Sequence, residues 1–278
     1  YKIIQQIDNG SYGVVYLVKN KETDEEFAAK VLKKVDSDDE EVVQMLNKEI
    51  KILMLCQHPS VVGFYGFSTV DFYGKSNFTL FFQYCQYGSL GKILKKVRNG
   101  TCDIIYTNTQ RQIMLIGIAR GLKYLHQRRV IHRDLKPDNI LVDSNYYPHI
   151  TDFGLSQYFE DYEPCISQSA GCGTPTYMAP EVFAEESYTS KADIYSFGLI
   201  MYEIVTDTSP YPEKMTMFQL MNDVTRGVRP SFKVPVKKSI RDLIEKCWDK
   251  QPDNRPTAAE IFSMLAFGTD AVLGDADD

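Results

Sequence analysis

The chain has 278 residues, 44% hydrophobic and 24% charged, with a formal net charge of −6. That composition can bury a core, and the length suits one large or two medium domains. An acidic chain without a basic stripe is a poor match for nucleic acid or anionic membrane, and no run approaches the ~18 consecutive apolar residues of a membrane span. The six cysteines form no C-x-x-C pair, which points to free thiols in a reducing compartment rather than zinc. The sequence opens at Tyr1 inside a strand-like run without a signal peptide, and is read as a domain of a longer protein.

In chain order, "KIIQQI" and "VVYLVKN" flank a glycine-rich turn, and "EFAAKVL" follows the polar turn Glu22-Thr23-Asp24. The acidic run from Asp36 to Glu41 leads into a helix with Val43, Leu46, Ile50, Leu53 and Met54 spaced by three and four, expected to end at His58-Pro59. Two apolar strands follow, "VVGFYGFS" and "FTLFFQY", joined by a turn around Gly74. Beyond Gly88 the periodicity becomes helical. Thr109 to Gln127 carries Ile113, Ile116, Ala119, Leu122 and Tyr124. Ala192 to Val205 is nearly all apolar and predicts a buried central helix, while Ser239 to Trp248 and Thr257 to Leu265 are amphipathic. Strands first and helices second predict an α+β arrangement of two lobes, with a seam near Gln83 to Gly88. The tail "GTDAVLGDADD" is acidic and expected to fray.

The stretch "VIHRDLKPDNILVD", residues 130–143, sets Asp134, Lys136 and Asn139 between apolar runs; "TDFG" follows with Asp152, and Lys30 in "AAKV" and Glu49 in "NKEIKIL" precede. Singly, each has an ordinary reading: a snorkelling lysine, a helix-surface glutamate, a turn aspartate before glycine. Together they match the protein-kinase signature set in type, order and context. The chain thus resembles a eukaryotic-type protein kinase, from the glycine loop to "DNRPTAAEI" near the end.

That resemblance implies a two-lobed protein-kinase fold: a small antiparallel-sheet N-lobe with one regulatory helix (1–82), a hinge (83–88), a larger helical C-lobe (89–268) and the acidic tail (269–278). It implies transfer of the γ-phosphoryl group of ATP, with Mg²⁺, to Ser/Thr hydroxyls of a protein substrate, a chemistry of charge and positioning. By resemblance, Lys30 holds the α- and β-phosphates and Glu49 pairs with it. Asp152 and Asn139 offer Mg²⁺ the hard oxygens it prefers. Asp134 accepts the hydroxyl proton and Lys136 offsets charge on the γ-phosphoryl group. Gly10 and Gly13 let the backbone approach the phosphates. Ile7, Val15, Ala28 and Leu141 line the adenine site, with Phe82 as gatekeeper and Gln83, Tyr84 and Cys85 as hinge. Ala179-Pro180-Glu181 closes the activation segment, Arg255 pairs with Glu181, and Asp193 supports the catalytic-loop backbone.

Lys136 and Thr174 point to serine/threonine specificity, and "DIYSFGLIMYEI", "GVRPSF" and "LIEKCWDKQPDNRPT" resemble the tyrosine-kinase-like group of serine/threonine kinases; dual specificity stays open. By the same resemblance Arg133 is expected to meet a phosphate on the activation segment, with Ser167, Ser169, Thr174 and Thr176 as candidates and Ser167 and Ser169 ahead of Thr174. The alternative is a pseudokinase acting as a nucleotide-binding or scaffolding module, against which the full set of Lys30, Glu49, Asp134, Asn139 and Asp152 argues. No nucleic-acid partner and no direct membrane insertion are expected, and the location expected is the cytoplasm or the cytosolic face of a membrane-tethered parent. One position departs from the family pattern. In "IDNGSYGVVY", Asp8 stands where the loop's first glycine belongs. Either it is tolerated, because aspartate accepts unusual turn angles, or its charge weakens ATP binding.

Overall fold

Three antiparallel strands open the chain: β1 (Lys2–Gly10), β2 (Gly13–Lys19) and β3 (Glu26–Leu32). The computed structural model describes residues 1–10, 13–33, 40–158, 175–212, 214–271 and 273–274, and divides into two compact units, Tyr1–Gln86 and Tyr87–Asp278. Ser167, Ser169 and Thr174, together with the acidic stretches 36–39 and 275–278, lie outside the described residues.

In the first unit, α1 (Glu40–Leu55) follows β3, and β4 (Phe64–Ser68) and β5 (Thr79–Gln83) complete an antiparallel sheet in the order β1-β2-β3-β5-β4. Period-two alternation splits its apolar residues between two faces. Val18, Phe27 and Ala29 form one cluster; Leu32 and Leu80 form the other with Leu46 of α1, and Ile50, Phe64 and Phe82 pack against it. Three expectations need correction. The helix stops at Leu55, short of His58-Pro59, and Met54 is 61% exposed although its spacing suggested burial. The buried stripe admits Leu53, and one further residue rotates the side chain by about 100° away from it. The strand around "VVGFYGFS" is shorter than its apolar run: Val61 and Val62 are buried but precede β4, and the register slips at Gly66, whose φ is +141°.

The second unit begins with β6 (Gly88–Ser89), α2 (Leu90–Arg98), α3 (Asn108–Gln127) and β7 (Val130–Ile131), then β8 (Ile140–Val142), β9 (Pro148–Ile150) and β10 (Gln157–Tyr158). It continues with α4 (Pro180–Phe183), α5 (Lys191–Thr206), α6 (Met217–Arg226), α7 (Lys238–Cys247) and α8 (Ala258–Phe267). The predicted central helix is α5, buried along almost its whole length, with α3 and α7 packed against it and α8 packed on α3. Side-chain caps start the surface helices: Ser89 Oγ accepts from the Lys92 N–H, and Thr216/Gln219 and Thr257/Glu260 form capping boxes at α6 and α8.

Candidate active site

The loop after β7 is hung from α5. Asp193, 1% exposed, accepts the His132 N–H on Oδ2 and the Arg133 N–H on Oδ1, both at 2.9 Å, and His126 Nε2 lies 2.9 Å from Oδ2. Burial pushes the Asp193 carboxyl up, but the His126 hydrogen bond, the His126 and His132 charges and the His132 N–H prevail and hold it below the usual carboxylate range. The clamp imposes backbone that local preference resists: Arg133 sits at φ +72°, in the left-handed region that costs a non-glycine residue about 1–2 kcal/mol.

Within this loop Lys136 Nζ donates to Asp134 Oδ2 at 2.7 Å. Asn139, at the end of a 3-10 turn begun by Pro137, donates from Nδ2 to the Asp134 carbonyl (2.8 Å) and to the same Oδ2 (3.0 Å). Ammonium and amide together fix the rotamer of a carboxylate whose side chain is 10% exposed. The loop also holds the next segment. The Thr151 N–H donates to the Asn139 carbonyl at 3.0 Å, His132 Nε2 donates to the Thr151 carbonyl at 2.9 Å, and the His132 ring packs edge-on against Phe153 at 5.4 Å. Asp152, at φ +66°, therefore sits between two residues anchored to the Asp134 loop. The structure brings Asp134, Lys136 and Asn139 into one cluster and anchors Asp152 beside it; Leu141 lies in β8, paired with Ser89 and His149.

A second polar network escaped the sequence reading. Glu203 of α5, 2% exposed, accepts from Arg98 Nη1 at 2.9 Å and from the Tyr177 hydroxyl, joining α2, α5 and the turn Pro175–Tyr177. Burial raises the Glu203 carboxyl above its ordinary value, against the Tyr177 and Arg98 hydrogen bonds. The available signal was an acidic residue inside an otherwise apolar helix. Gly91 of α2 was also missed: a Cβ there would lie 2.4 Å from Asp138 Oδ1, in the turn that carries Asn139.

In the first unit, cross-strand register sets the other candidates on one face, since directly paired residues point the same way. Val15 pairs with Lys30 and Lys30 with Leu80; Leu17 pairs with Ala28 and Ala28 with Phe82. Asp8 pairs with Val15 and joins that face. Ile7 is the extra residue where the β1 register slips between Gln6 and Asp8. Asp8 is in strand β1 and not among the positive-φ residues, so tolerance of unusual turn angles does not explain it; its Oδ1 accepts the Asn9 N–H at 2.8 Å in an exposed position. A Cβ on Gly13 would lie 2.3 Å from the Val31 carbonyl, whereas one on Gly10 would meet nothing nearer than 3.9 Å. Gly13 is thus demanded by its own neighbouring strand. Glu49 lies on α1. Gln83 ends β5 with its N–H donating to the Gly63 carbonyl at 2.8 Å, and Cys85 is buried.

Near the end of the second unit, Arg255 and Glu181 form a bidentate pair with both bonds at 2.7 Å, fully withdrawn from solvent. Among the described residues no helix is long and apolar enough to cross a membrane, and no group of three or more His, Cys, Asp or Glu converges on one point.

Comparison with known proteins agrees with this geometry. The protein kinase domain family matches residues 1–266, and the chain belongs to that family. It is 36% identical over 261 residues to the dual specificity protein kinase shkD of Dictyostelium discoideum, covering 93% of this chain and 33% of that protein. It is 34% identical over 264 residues to the serine/threonine-protein kinase hippo of Drosophila melanogaster, covering 94% and 37%. It is also 34% identical over 218 residues to the RGS domain-containing serine/threonine-protein kinase A of Dictyostelium discoideum, covering 78% and 18%. The chain therefore spans little more than a third of the length of these relatives at most, and less than a fifth of one.

Proposed function

We propose that this chain is an ATP-dependent protein kinase acting on serine and threonine hydroxyls of other proteins. The observation that carries the reading is the Asp134 carboxylate, oriented by Lys136 and Asn139 on a loop fixed from the core by Asp193. A carboxylate held in one rotamer is suited to orient a substrate hydroxyl and accept its proton as the oxygen attacks. Lys136, bonded to the same oxygen, places a positive charge next to where negative charge develops.

The residues fit Mg-ATP. Asn139 makes both bonds to Asp134 through Nδ2, which turns its amide oxygen from Asp134, and the Asp152 carboxylate is a second hard oxygen donor. Two protein donors suit Mg²⁺, which keeps waters and phosphate oxygens as its other ligands and, when bound, offsets phosphate charge. In the first unit, Lys30 would neutralise the α- and β-phosphates with Glu49 holding it, and the apolar face of Val15, Ala28 and Phe82, with Ile7, would receive the adenine. The backbone of Gln83 to Cys85 would bond the edge of the ring. The serine/threonine preference follows Lys136, which the loop motif shares with that class, and the serine/threonine and dual specificity activities of the relatives.

The test is transfer from Mg-ATP to a generic protein substrate and to the chain itself, with wild type beside Asp134→Asn and Lys30→Met and the modified residue type identified. Phosphoserine or phosphothreonine that disappears in both variants is expected. Phosphotyrosine alongside them would establish dual specificity. Absence of transfer at saturating ATP would overturn the reading in favour of a pseudokinase.

A further inference from the structure

The sheet face of the first unit that carries Phe27 and Phe81 lies opposite α1, and a cavity of about 390 Å³ opens on it. Tyr1, Tyr65, Phe67, Phe72 and Phe81 line it, and Asp71 is the charged residue of its wall. The rings brace one another. Tyr1 packs against Phe81 at 4.7 Å with the rings tilted by 30°, Tyr65 meets Phe27 edge-on at 5.0 Å, and Phe72 meets Phe81 edge-on at 6.2 Å. They are nevertheless far from buried: Tyr65 is 64% exposed and Phe67 51%. Phe72 and Phe81 pack on the core cluster of Val18, Phe27 and Ala29, whereas Tyr65 and Phe67 stand at solvent in a concave site, the mark of a recognition surface.

The chemistry of the wall selects its occupant. Ring faces carry the negative end of the aromatic quadrupole, and among the described lining residues no lysine, arginine or histidine side chain satisfies it. Asp71 adds a carboxylate in a fixed rotamer. Its Oδ1 accepts the Tyr73 and Lys75 N–H groups at 2.8 and 3.0 Å, and its Oδ2 accepts Asn77 Nδ2 at 2.7 Å. Two carboxylate oxygens offer about four lone-pair positions, so three bonds leave capacity for one more donor. Lys75 is the nearby cation, exposed and outside the lining. The net charge of −6 favours approach of a basic partner. A guanidinium combines a planar face for stacking on rings with donors for a carboxylate.

We propose that this cavity is a docking site for an arginine side chain carried by a partner polypeptide. The probe is the peptide acetyl-Gly-Arg-Gly-amide, titrated while the backbone amide resonances of residues 65–72, 79 and 81 are followed by NMR, beside the same peptide with neutral citrulline. The expected result is saturable shifts confined to those residues, with Kd about tenfold lower for arginine than for citrulline. Tyr65→Leu and Phe67→Leu, both at exposed positions, should weaken the arginine peptide several-fold while leaving phosphoryl transfer intact, which separates this site from the catalytic one. Asp71→Asn should narrow the difference between arginine and citrulline. Equal affinity for the two peptides would overturn the proposal in favour of plain apolar docking. So would no shift at about 10 mM peptide, or a wild-type dimer in sedimentation that Tyr65→Leu abolishes.

Discussion

Replacing Asp193 by asparagine tests whether the loop bearing Asp134 takes its shape from α5. The carboxylate serves two backbone N–H groups and His126. An amide of the same shape retains one acceptor oxygen and turns an NH₂ toward the other N–H. At least one buried N–H, at His132 or Arg133, then loses its partner, which costs about 1–3 kcal/mol, and the surviving bond loses its charged acceptor. A total near 3 kcal/mol is expected. At about 2–4 °C per kcal/mol for a unit of this size, the melting temperature should fall by roughly 6–12 °C. Because the same loop carries Asp134, kcat measured well below both transitions should fall about 10- to 100-fold, as misplacement by an ångström does elsewhere. The pH dependence gives a second reading. Asp193 is held below its unfolded value near 3.8, so its contribution is present in full above that value and fades as the pH falls through the lower folded value. The stability gap between wild type and Asp193→Asn should therefore persist above pH 3.8 and close in acid below it. Circular dichroism melts from pH 3 to 7 with steady-state kinetics at pH 7 make the comparison; a melting temperature within a degree of wild type together with an unchanged kcat would refute the reasoning.

Gly13→Ala should destabilise the first unit by about 1–3 kcal/mol through collision with the Val31 carbonyl, while Gly10→Ala, with open space at its Cβ, should stay within about 0.5 kcal/mol; urea melts of the two variants decide it, and equal effects would sink the argument. Asp8 stands two register steps from Lys30, about 10 Å at roughly 5 Å per step. A phosphate charge held at Lys30 would be repelled by Asp8 across that distance by about 1.7 kcal/mol at an effective dielectric of ~20, reduced to about 0.5 kcal/mol by physiological salt. Asp8→Gly should therefore lower the KM for ATP only about twofold, with kcat unchanged and the effect gone at ~1 M salt; a tenfold change would show that Asp8 acts by contact rather than by field.

The elements legible in the sequence were those long enough to show a period. α3, α5, α7 and α8 fell where the apolar spacing put them, because ten or more residues at one spacing outweigh local accidents. The two- and three-residue strands β6 to β10 carry no period and went unread, as did α2, whose apolar positions are interleaved with Gly91 and three lysines. Met54 and the start of β4 show the complementary failure, in which an apolar residue is present but the packed stripe has no room or the strand has a bulge. For the site, a contiguous motif matched in residue type and spacing announced Asp134, Lys136 and Asn139, whereas Tyr177, Arg98 and Glu203 meet only in space, across a separation of 105 residues between the two charges. The close approach of the Val31 carbonyl to Gly13 was not legible for a related reason. A glycine shows in the sequence, but which neighbour needs its missing Cβ does not.

The bonds from Asp193 back to His132 and Arg133 also bear on the order of folding. They span 61 and 60 residues, so closing that loop costs chain entropy before either N–H bond rewards it. Arg133, in a conformation it does not favour alone, offers no local nucleus to begin from. The loop bearing Asp134 must therefore acquire its geometry late, when α5 is already docked, and lose it early in unfolding. Refolding followed by return of activity should lag refolding followed by helix signal, and the lag reports closure of this one polar clamp.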